Sequence, residues 1–193
     1  MKHNLKLLLF VVVLGLITSG LLLSAKALTD ERIQLNEQAE LKAAVLDGFD
    51  VEYNFTNIHD VFDERVTILN QDQYTFYVDD ASGFVSFEFS GNGLWGPIVG
   101  ILTLEDDFET IYRITILQQE ETPGLGGVVA ERPYLDTFVG VKMLPFIDIT
   151  KDEVVEDYQV GQITGATGTS NAFEIILNDN YNMFAQVWLT LHE

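Results

Sequence analysis

Hydrophobic positions form one long, almost uninterrupted run near the start of the chain. Residues 7–23 are apolar except for Thr18 and Ser19. As a helix that rises ~1.5 Å per residue, this run and the two small residues after it cover about 28 Å, close to the ~30 Å hydrocarbon core of a bilayer. The pattern predicts a membrane anchor within residues 1–27, which would make the protein a single-pass protein of the cell membrane.

The charges that flank this run predict its orientation. Basic residues precede the run and acidic residues follow it: Lys2 and Lys6 against Asp30 and Glu31. Because positively charged flanks stay in the cytoplasm, we expect a cytoplasmic N-terminus and an extracytoplasmic remainder. A cleaved signal peptide is the alternative, since residues 25–27 have the small-x-small form of a cleavage site. The apolar run is longer than the ~7–15 residues usual for a signal peptide, which favours a retained anchor.

Residues 28–48 show an imperfect apolar face at helical spacing. Thr29 or Asp30 can cap the start of this predicted linking helix, and Gly48 suits the left-handed position that ends one. Residues 50–72 have no single period. The positions expected to be buried there are Phe55, Ile58, Val61 and Phe62.

The period then changes to two, which predicts strands joined by short links and therefore paired antiparallel. The predicted strands are 74–78, 84–89, 98–104 and 110–117. After a glycine-rich loop at 123–127, a short helix is predicted at 132–138. A longer helix follows from Ser170, with Asn178–Asn180 favouring a break. The pattern predicts an α+β domain over residues 49–193, with a central antiparallel sheet and flanking helices.

The composition is strongly acidic and changes the list of plausible partners. The 193 residues include 30 acidic and 10 basic side chains, a net charge of −20. Three of the basic residues and none of the acidic ones precede residue 28, so the remainder carries a net charge of −23. This balance argues against nucleic acid as a partner, because phosphate binding needs clustered Lys and Arg.

Cysteine is absent, and histidine occurs only at His3, His59 and His192. Thiol nucleophiles, disulfides and Cys-ligated metal centres are thereby excluded. Because these histidines are scattered along the chain, we expect neither a His-rich metal centre nor a Ser-His-Asp triad. Chemistry must come from a bound cofactor or from carboxylates.

The segment Thr164–Ser170 (TGATGTS) places small residues and hydroxyls just before the predicted C-terminal helix. A helix N-terminus offers free N–H donors, so an anionic phosphate would be stabilised there. Simple capping by Thr169 or Ser170 is the alternative, and it needs no ligand. The segment lacks the lysine of a Walker loop.

The segment Glu120–Gly127 (EETPGLGG) places three glycines around Leu125. Such a backbone allows close approach to a flat ligand, with Thr122 and backbone N–H groups as donors and Glu121 as an acceptor. A surface turn is the alternative, and on composition alone it is the simpler explanation.

The motifs GNGLW (91–95), ETPGLG (121–126) and TGATGT (164–169) occur in the order and at about the spacing of the FMN-binding domain family. The chain resembles the membrane-anchored flavin subunits of respiratory complexes. These are the C subunit of the sodium-translocating NADH:quinone reductase and the G subunit of the Rnf ferredoxin:NAD oxidoreductase. The resemblance leaves open which of the two complexes is the better match.

The resemblance implies a role for individual residues. The family joins FMN through its phosphate to the threonine that closes the (S/T)GAT motif, which is Thr167 here. A separate flavin transferase makes this bond from FAD with magnesium. Thr169 is the second candidate, and otherwise a cap or a phosphate donor. Other residues implied at the flavin are Glu121 and Thr122 at the polar ring edge, Leu125 on its face and Trp95 in the pocket wall.

One position departs from the family pattern. The family usually has Asp three residues before the first Thr or Ser of the motif, whereas this chain has Gly161. Asp157 is the neighbouring candidate substitute. The departure bears on covalent attachment more than on flavin binding.

The resemblance implies a redox subunit rather than a complete enzyme. It would relay electrons through FMN between other membrane subunits of a respiratory complex. No nicotinamide-binding fingerprint is present in the sequence. The alternatives are a flavin-free scaffold subunit with the same fold, and a stand-alone extracytoplasmic flavoprotein that feeds an extracellular reductase.

Overall fold

The fold is taken from a computed structural model in which residues 2–191 are described. Met1, His192 and Glu193 lie outside the described residues. The outermost positions of the predicted ranges 1–27 and 49–193, and the imidazole of His192, therefore lie there too. The chain divides into two compact units after Glu40. This division falls within the linking helix predicted over 28–48.

The first unit is formed by helix α1 (Lys2–Gly48) up to Glu40. Among residues 2–191, one segment, Lys6–Asp30, is long and apolar enough to cross a membrane, with a mean hydropathy of 2.6. The hydroxyls of Thr18 and Ser24 each donate to a carbonyl four residues back, at 3.0 and 2.8 Å. These bonds satisfy the polar groups of an otherwise apolar helix.

The helix predicted to start at Thr29 or Asp30 is part of α1 and does not start there. α1 passes through this region unbroken, and the Thr29 hydroxyl donates to the Ala25 carbonyl at 3.0 Å instead of capping a new helix. Residues 21–47 contain neither Gly nor Pro. The prediction of a separate start is therefore wrong, because nothing in this sequence interrupts the helix.

Gly48 ends α1, as predicted, but for a different reason from the one expected. The left-handed residue is Asp50, with a φ of 55°. A Cβ on Gly48 would meet the hydroxyl of Thr103 on the sheet. Glycine is therefore needed here for close packing rather than for a left-handed backbone.

Five antiparallel strands form the centre of the second unit, in the order β1-β2-β3-β4-β5. Each strand pairs with the next along the chain, as the short links predict. The predicted α+β class and its central antiparallel sheet are confirmed. The strands are β1 Val66–Gln71, β2 Tyr74–Asp79, β3 Val85–Asn92, β4 Pro97–Leu104 and β5 Ile111–Gln118.

The region 50–72, which shows no clear period, contains helix α2 (Ile58–Arg65) and the edge strand β1. β1 is buried only at Val66, so its sequence carries no alternating pattern. The predicted burial of Ile58 and Phe62 is confirmed, and Val61 is half-buried. The prediction for Phe55 is wrong. Its side chain is 91% exposed, because it lies in the turn before α2 and not on the buried face of that helix.

Apolar side chains cover both faces of the sheet. One cluster joins the end of α1 and α2 to β4, and its buried members include Val45, Leu46, Phe62 and Ile101. The other cluster packs helix α4 (Thr167–Leu191) on the sheet, with Phe87 and Phe184 stacked at a ring distance of 4.2 Å. β4 is buried from both sides, which explains its continuous apolar run.

Helix α4 begins three residues before the predicted Ser170 and passes through Asn178–Asn180 without a break. Asn178 bonds both the backbone N–H and the carbonyl of Ile147 at 2.8 Å. Asn180 donates to the Ser90 carbonyl at 3.0 Å. The predicted break is wrong, because these amides fasten the helix to other elements.

The segment between the sheet and α4 contains short elements. Helix α3 (Arg132–Leu135) and a 3-10 turn at 136–138 match the predicted helix at 132–138. A parallel pair, β6 (Asp148–Thr150) and β7 (Gln159–Gly161), was absent from the predicted elements. Strands of three residues are too short to show a period.

Candidate functional site

The three glycine-containing motifs meet around one buried carboxylate. The side chain of Glu121 is 4% exposed. Its Oε1 accepts the backbone N–H of Trp95 at 2.9 Å, and its Oε2 accepts the hydroxyl of Thr169 at 2.6 Å. These partners lie 26 and 48 residues away in sequence. The segments 91–95 and 164–169 are thus joined through Glu121 into one site.

The first motif forms the turn between β3 and β4. The backbone N–H of Gly93 donates to the Gly96 carbonyl at 2.8 Å, which closes the turn. Leu94 and Trp95 stand at its tip, 55% and 71% exposed. The turn therefore exposes two large apolar side chains to solvent. They do not contribute to the core, and exposed apolar side chains of this kind mark a candidate binding surface.

The second motif is a tight loop after β5. The backbone N–H groups of Leu125 and Gly127 both donate to the Thr122 carbonyl, at 3.1 and 2.9 Å. Gly124 has a φ of 74°, a conformation that favours glycine. The side chain of Leu125 is 46% exposed. The loop therefore holds one apolar side chain outward on a closed backbone.

The third motif forms the start of α4. Gly165 has a φ of 80°, and the Ser170 hydroxyl accepts the backbone N–H of Ile163 at 3.1 Å. The chain thus reverses immediately before the helix. Neither hydroxyl considered as a cap accepts an N–H group of the first turn of α4. The Ser170 hydroxyl accepts from Ile163, which precedes the helix, and the Thr169 hydroxyl donates to Glu121.

Thr167 is the first residue of α4, and its side chain is exposed. Among residues 2–191, no hydrogen bond engages its hydroxyl. It lies at a groove of about 460 Å³ between α4 and the β6-β7 pair. The polar side chains that line this groove with Thr167 are Asp148, Thr150, Lys151, Asp152, Gln162, Asn171 and Glu174.

Two leucines flank the helix start on either side of Thr167. A Cβ placed on Gly168 would lie 3.0 Å from Leu94 Cδ2, and one placed on Gly165 would lie 3.4 Å from Leu125 Cδ2. Leu94 was absent from the candidates drawn from the sequence. The signal that points to it is an exposed leucine in a two-residue hairpin tip, next to a tryptophan.

The predicted site residues differ in what they can contact. Thr167, Thr122, Leu125 and Trp95 are exposed and accessible to a ligand. Thr169 is 1% exposed and bound to Glu121, so its hydroxyl is not free for attachment. Glu121 uses both carboxylate oxygens in contacts within the protein, and its role as an acceptor at the ring edge stays a prediction.

The candidate substitute for the missing family Asp is also engaged elsewhere. The Asp157 carboxylate lies 3.6 Å from Lys142 Nζ, and its backbone carbonyl accepts the Lys142 N–H at 2.8 Å. Asp148 and Asp152 line the groove that contains Thr167. Gly161 is exposed, and a Cβ there would have open space around it.

The start of α4 lies beside a neutral phenol and beside carboxylates, namely the buried Glu121 and three acidic side chains of the groove. Burial raises the pKa of Tyr134, whose phenol lies near Ser170, and this residue stays neutral at physiological pH. Within the described part of the chain, no group of three or more His, Asp or Glu side chains is arranged to hold a metal ion. The exposed leucines suit a flat apolar ligand. The free N–H groups of the first turn of α4 offer donors to an anionic end of that ligand, and the groove carboxylates oppose it.

Residues 93–182 match the family model of the FMN-binding domain. This range contains the two exposed leucines, Glu121 and Thr167. The prediction that the chain carries an FMN-binding domain, with FMN as the cofactor, is confirmed.

Curated relatives give the same result over part of their length. The C subunit of the Na(+)-translocating NADH-quinone reductase of Vibrio vulnificus is 37% identical over 91 residues, which are 44% of this chain and 36% of that protein. The corresponding protein of Neisseria meningitidis is 38% identical over 65 residues, or 34% of this chain and 25% of that protein. The alignments span about a third or less of these relatives.

Solved structures share the fold. NqrC of Shewanella oneidensis has a TM-score of 0.69 at 22% identity, with 76% of this chain and 93% of that chain covered. The C subunit of the Na(+)-translocating NADH-quinone reductase from Parabacteroides distasonis has a TM-score of 0.65 at 22% identity, with 76% and 90% covered. These structures therefore share the fold of this chain over 76% of its length.

Proposed function

We propose that this FMN-binding chain is a membrane-anchored electron-transfer subunit whose FMN is joined through its phosphate to Thr167. Electrons would pass through the flavin between other membrane subunits of an ion-translocating oxidoreductase. The complex would be of the NADH:quinone reductase or the Rnf type. The similarity to the C subunit of the former supports this assignment over part of the chain.

The observation that carries the proposal is the state of the Thr167 hydroxyl. It is exposed, has no hydrogen-bond partner among the described residues, and stands at the helix N-terminus. The N–H groups of a first helical turn lack intrahelical acceptors, so they stabilise an anion placed there. A phosphodiester on Thr167 would therefore meet donors rather than a satisfied backbone.

The protein residues would bind and orient the flavin, and FMN would supply the one- and two-electron redox chemistry. Leu94 and Leu125 offer apolar surface on the two sides of the helix start. The exposed Thr122 hydroxyl and nearby backbone N–H groups would address polar atoms of the ring. Trp95 would cover the outer side.

Attachment would follow the chemistry that the family resemblance implies. A flavin transferase would present FAD with magnesium to Thr167. The Thr167 oxygen would bond to the FMN phosphorus, the pyrophosphate bond would break, AMP would leave and the hydroxyl proton would be released. The groove beside Thr167 gives such a partner access.

The apolar helix within Lys6–Asp30 and the similarity to a protein of a membrane complex support a membrane anchor. Because basic residues precede this segment, the N-terminus would be cytoplasmic and the domain extracytoplasmic. A covalent bond would keep FMN from being lost to the medium on that side.

The test is expression of the full chain with a flavin transferase, followed by in-gel flavin fluorescence of the denatured protein. We expect fluorescence in the wild type and none in Thr167→Ala. A folded wild type that never acquires flavin would support the flavin-free scaffold instead. In a second experiment the flavinylated chain is purified from the membranes of its native cells, and its recovery without any other membrane protein would favour the stand-alone flavoprotein.

A further inference from the structure

Glu121 is a buried acid with no basic partner. Its carboxylate forms no ion pair within the part of the chain that the structure describes, and its two oxygens accept from Trp95 and Thr169. Carboxylates are almost never buried unless they are paired or well hydrogen-bonded. Its own backbone N–H donates to Gln119 Oε1 at 2.6 Å, which fixes the residue further. Because burial of a carboxylate without a basic partner costs free energy, we expect the two contacts to have a structural role.

Each contact fixes one wall of the flavin site. The bond to the Trp95 N–H holds the β3-β4 turn that carries Leu94 and Trp95. The bond to Thr169 holds the first turn of α4, two residues after Thr167. Both walls are thereby attached to the loop that carries Leu125, because Glu121 belongs to that loop.

Gly126 shows how closely the loop packs on this link. A Cβ at Gly126 would meet both Thr169 Oγ1 and Glu121 Oε2. The backbone of the Leu125 loop therefore lies directly against the bond between the two side chains. Loss of the link would change the spacing between the leucines and Thr167.

We propose that Glu121 is a positioning residue, which holds the two leucine-bearing loops and the start of α4 at the spacing of the isoalloxazine ring without contacting that ring. The proposal rests on the proposed function, since it takes Thr167 as the attachment point of FMN. It assigns to one buried carboxylate the ordering of the site before flavin is added.

Two substitutions separate the contacts from the charge. In Glu121→Gln, the amide oxygen can accept from Trp95 and the amide nitrogen can donate to Thr169, so both contacts survive. In Glu121→Ala, both are lost. Glu120→Gln is the matched control, because it removes one negative charge from the exposed neighbouring residue.

The first measurement needs no flavin. Hydrogen exchange of the full chain, expressed without a transferase, reports the Trp95 amide. A hydrogen bond to a carboxylate contributes enough that its loss speeds exchange by about tenfold or more. We expect this acceleration in Glu121→Ala, and wild-type rates in Glu121→Gln and Glu120→Gln. Unchanged exchange in Glu121→Ala would overturn the link itself.

The second measurement uses the flavinylated full chain. Iodide quenching of flavin fluorescence and the fine structure of the visible flavin spectrum report how the ring is held. We expect Glu121→Ala to keep covalent FMN but to show stronger quenching and a smoother spectrum, while Glu121→Gln behaves as wild type. A lower unfolding midpoint with an unchanged flavin spectrum and unchanged quenching would assign Glu121 to stability alone and overturn the proposal.

Thr169→Val provides a second route if Glu121→Ala fails to fold. It removes one of the two contacts and leaves the carboxylate in place. We expect intermediate quenching from Thr169→Val, and none of this effect from Thr169→Ser. A wild type without FMN would defeat the proposed function, whereas a flavinylated Thr169→Val with wild-type quenching would defeat only the positioning role.

Discussion

Thr167 and Thr169 stand on opposite sides of the first turn of α4. Successive helical residues are about 100° apart, so two positions separate these side chains by about 200°. Thr169 is 1% exposed and donates to Glu121, whereas Thr167 is exposed with an unbonded hydroxyl among the described residues. One hydroxyl of the motif thus holds the site together, and the other is available to a cofactor.

Exchanging each threonine for valine should separate these two roles. Thr167→Val should abolish flavin attachment and change the free energy of unfolding by less than about 0.5 kcal/mol, because its side chain is on the surface. Thr169→Val should keep attached flavin but lower that free energy by about 1–3 kcal/mol, because a buried oxygen of Glu121 loses its donor. In-gel fluorescence and urea unfolding in detergent measure both. The reverse pattern of attachment would contradict the assignment.

Gly161→Asp should restore the family pattern without disturbing the fold. A Cβ at Gly161 has open space around it, so the side chain can be accommodated. We expect faster flavin attachment by the transferase in a time course of fluorescence labelling. Asp157→Asn serves as the control and should leave the rate unchanged, because Asp157 lies against Lys142. Equal rates for Gly161→Asp and the wild type would mean that attachment does not depend on a carboxylate at this position.

Gly126→Ala should destabilise the domain, because the added methyl group meets the buried atoms of Glu121 and Thr169. Overpacking of this kind costs about 1–3 kcal/mol. Gly161→Ala is the matched control, since its methyl group meets nothing and its stability should stay equal or rise by up to about 1 kcal/mol. Urea unfolding monitored by tryptophan fluorescence compares the two. Equal midpoints would show that the loop has room to move.

Asp79 should make stability depend on pH below its unfolded pKa. Burial alone would raise the pKa of this carboxyl, but hydrogen bonds from Ser82 and the pairing with Arg65 outweigh it and lower the pKa from 3.8. Because the folded pKa is the lower one, the ionised group contributes fully well above pH 3.8. That contribution is lost as the pH falls through the folded-state pKa.

Asp79→Asn should therefore lower the free energy of unfolding at pH 7 by about 1–3 kcal/mol. The difference from the wild type should shrink as the pH falls below 3.8. Thermal unfolding over this pH range measures it. Asp80→Asn, at the exposed neighbour, should show no such gap. A gap that stays constant with pH would mean that the charge of Asp79 does not matter.

The fold could be predicted where burial imposes a period on the sequence. β2 to β5 and the short helix at 132–138 are packed against other elements, so their apolar positions repeat. β1 lies at the sheet edge with one buried residue, and β6 and β7 have three residues each, so no period marks them. In sequence alone, Asn178 and Asn180 look like helix breakers. The contacts that keep them in the helix are with residues far along the chain, which the local pattern does not reveal.

The meeting of the three motifs could be predicted from the sequence, but the contacts that join them could not. The order of the motifs predicts that 91–95, 121–126 and 164–169 lie together, and in the structure they are joined through Glu121. Which hydroxyl faces solvent depends on the residue at which α4 begins, which differed by three residues from the prediction. The internal use of Glu121 depends on two long-range contacts, which sequence spacing does not specify.

The most direct test of the account is mass spectrometry of peptides from the full chain expressed with a flavin transferase. We predict that the peptide containing Thr167 gains the mass of FMN less one water, that fragmentation assigns it to Thr167, and that Thr167→Ala yields an unmodified peptide. An unmodified wild-type peptide, or FMN found on Thr169 or on another residue, would contradict it.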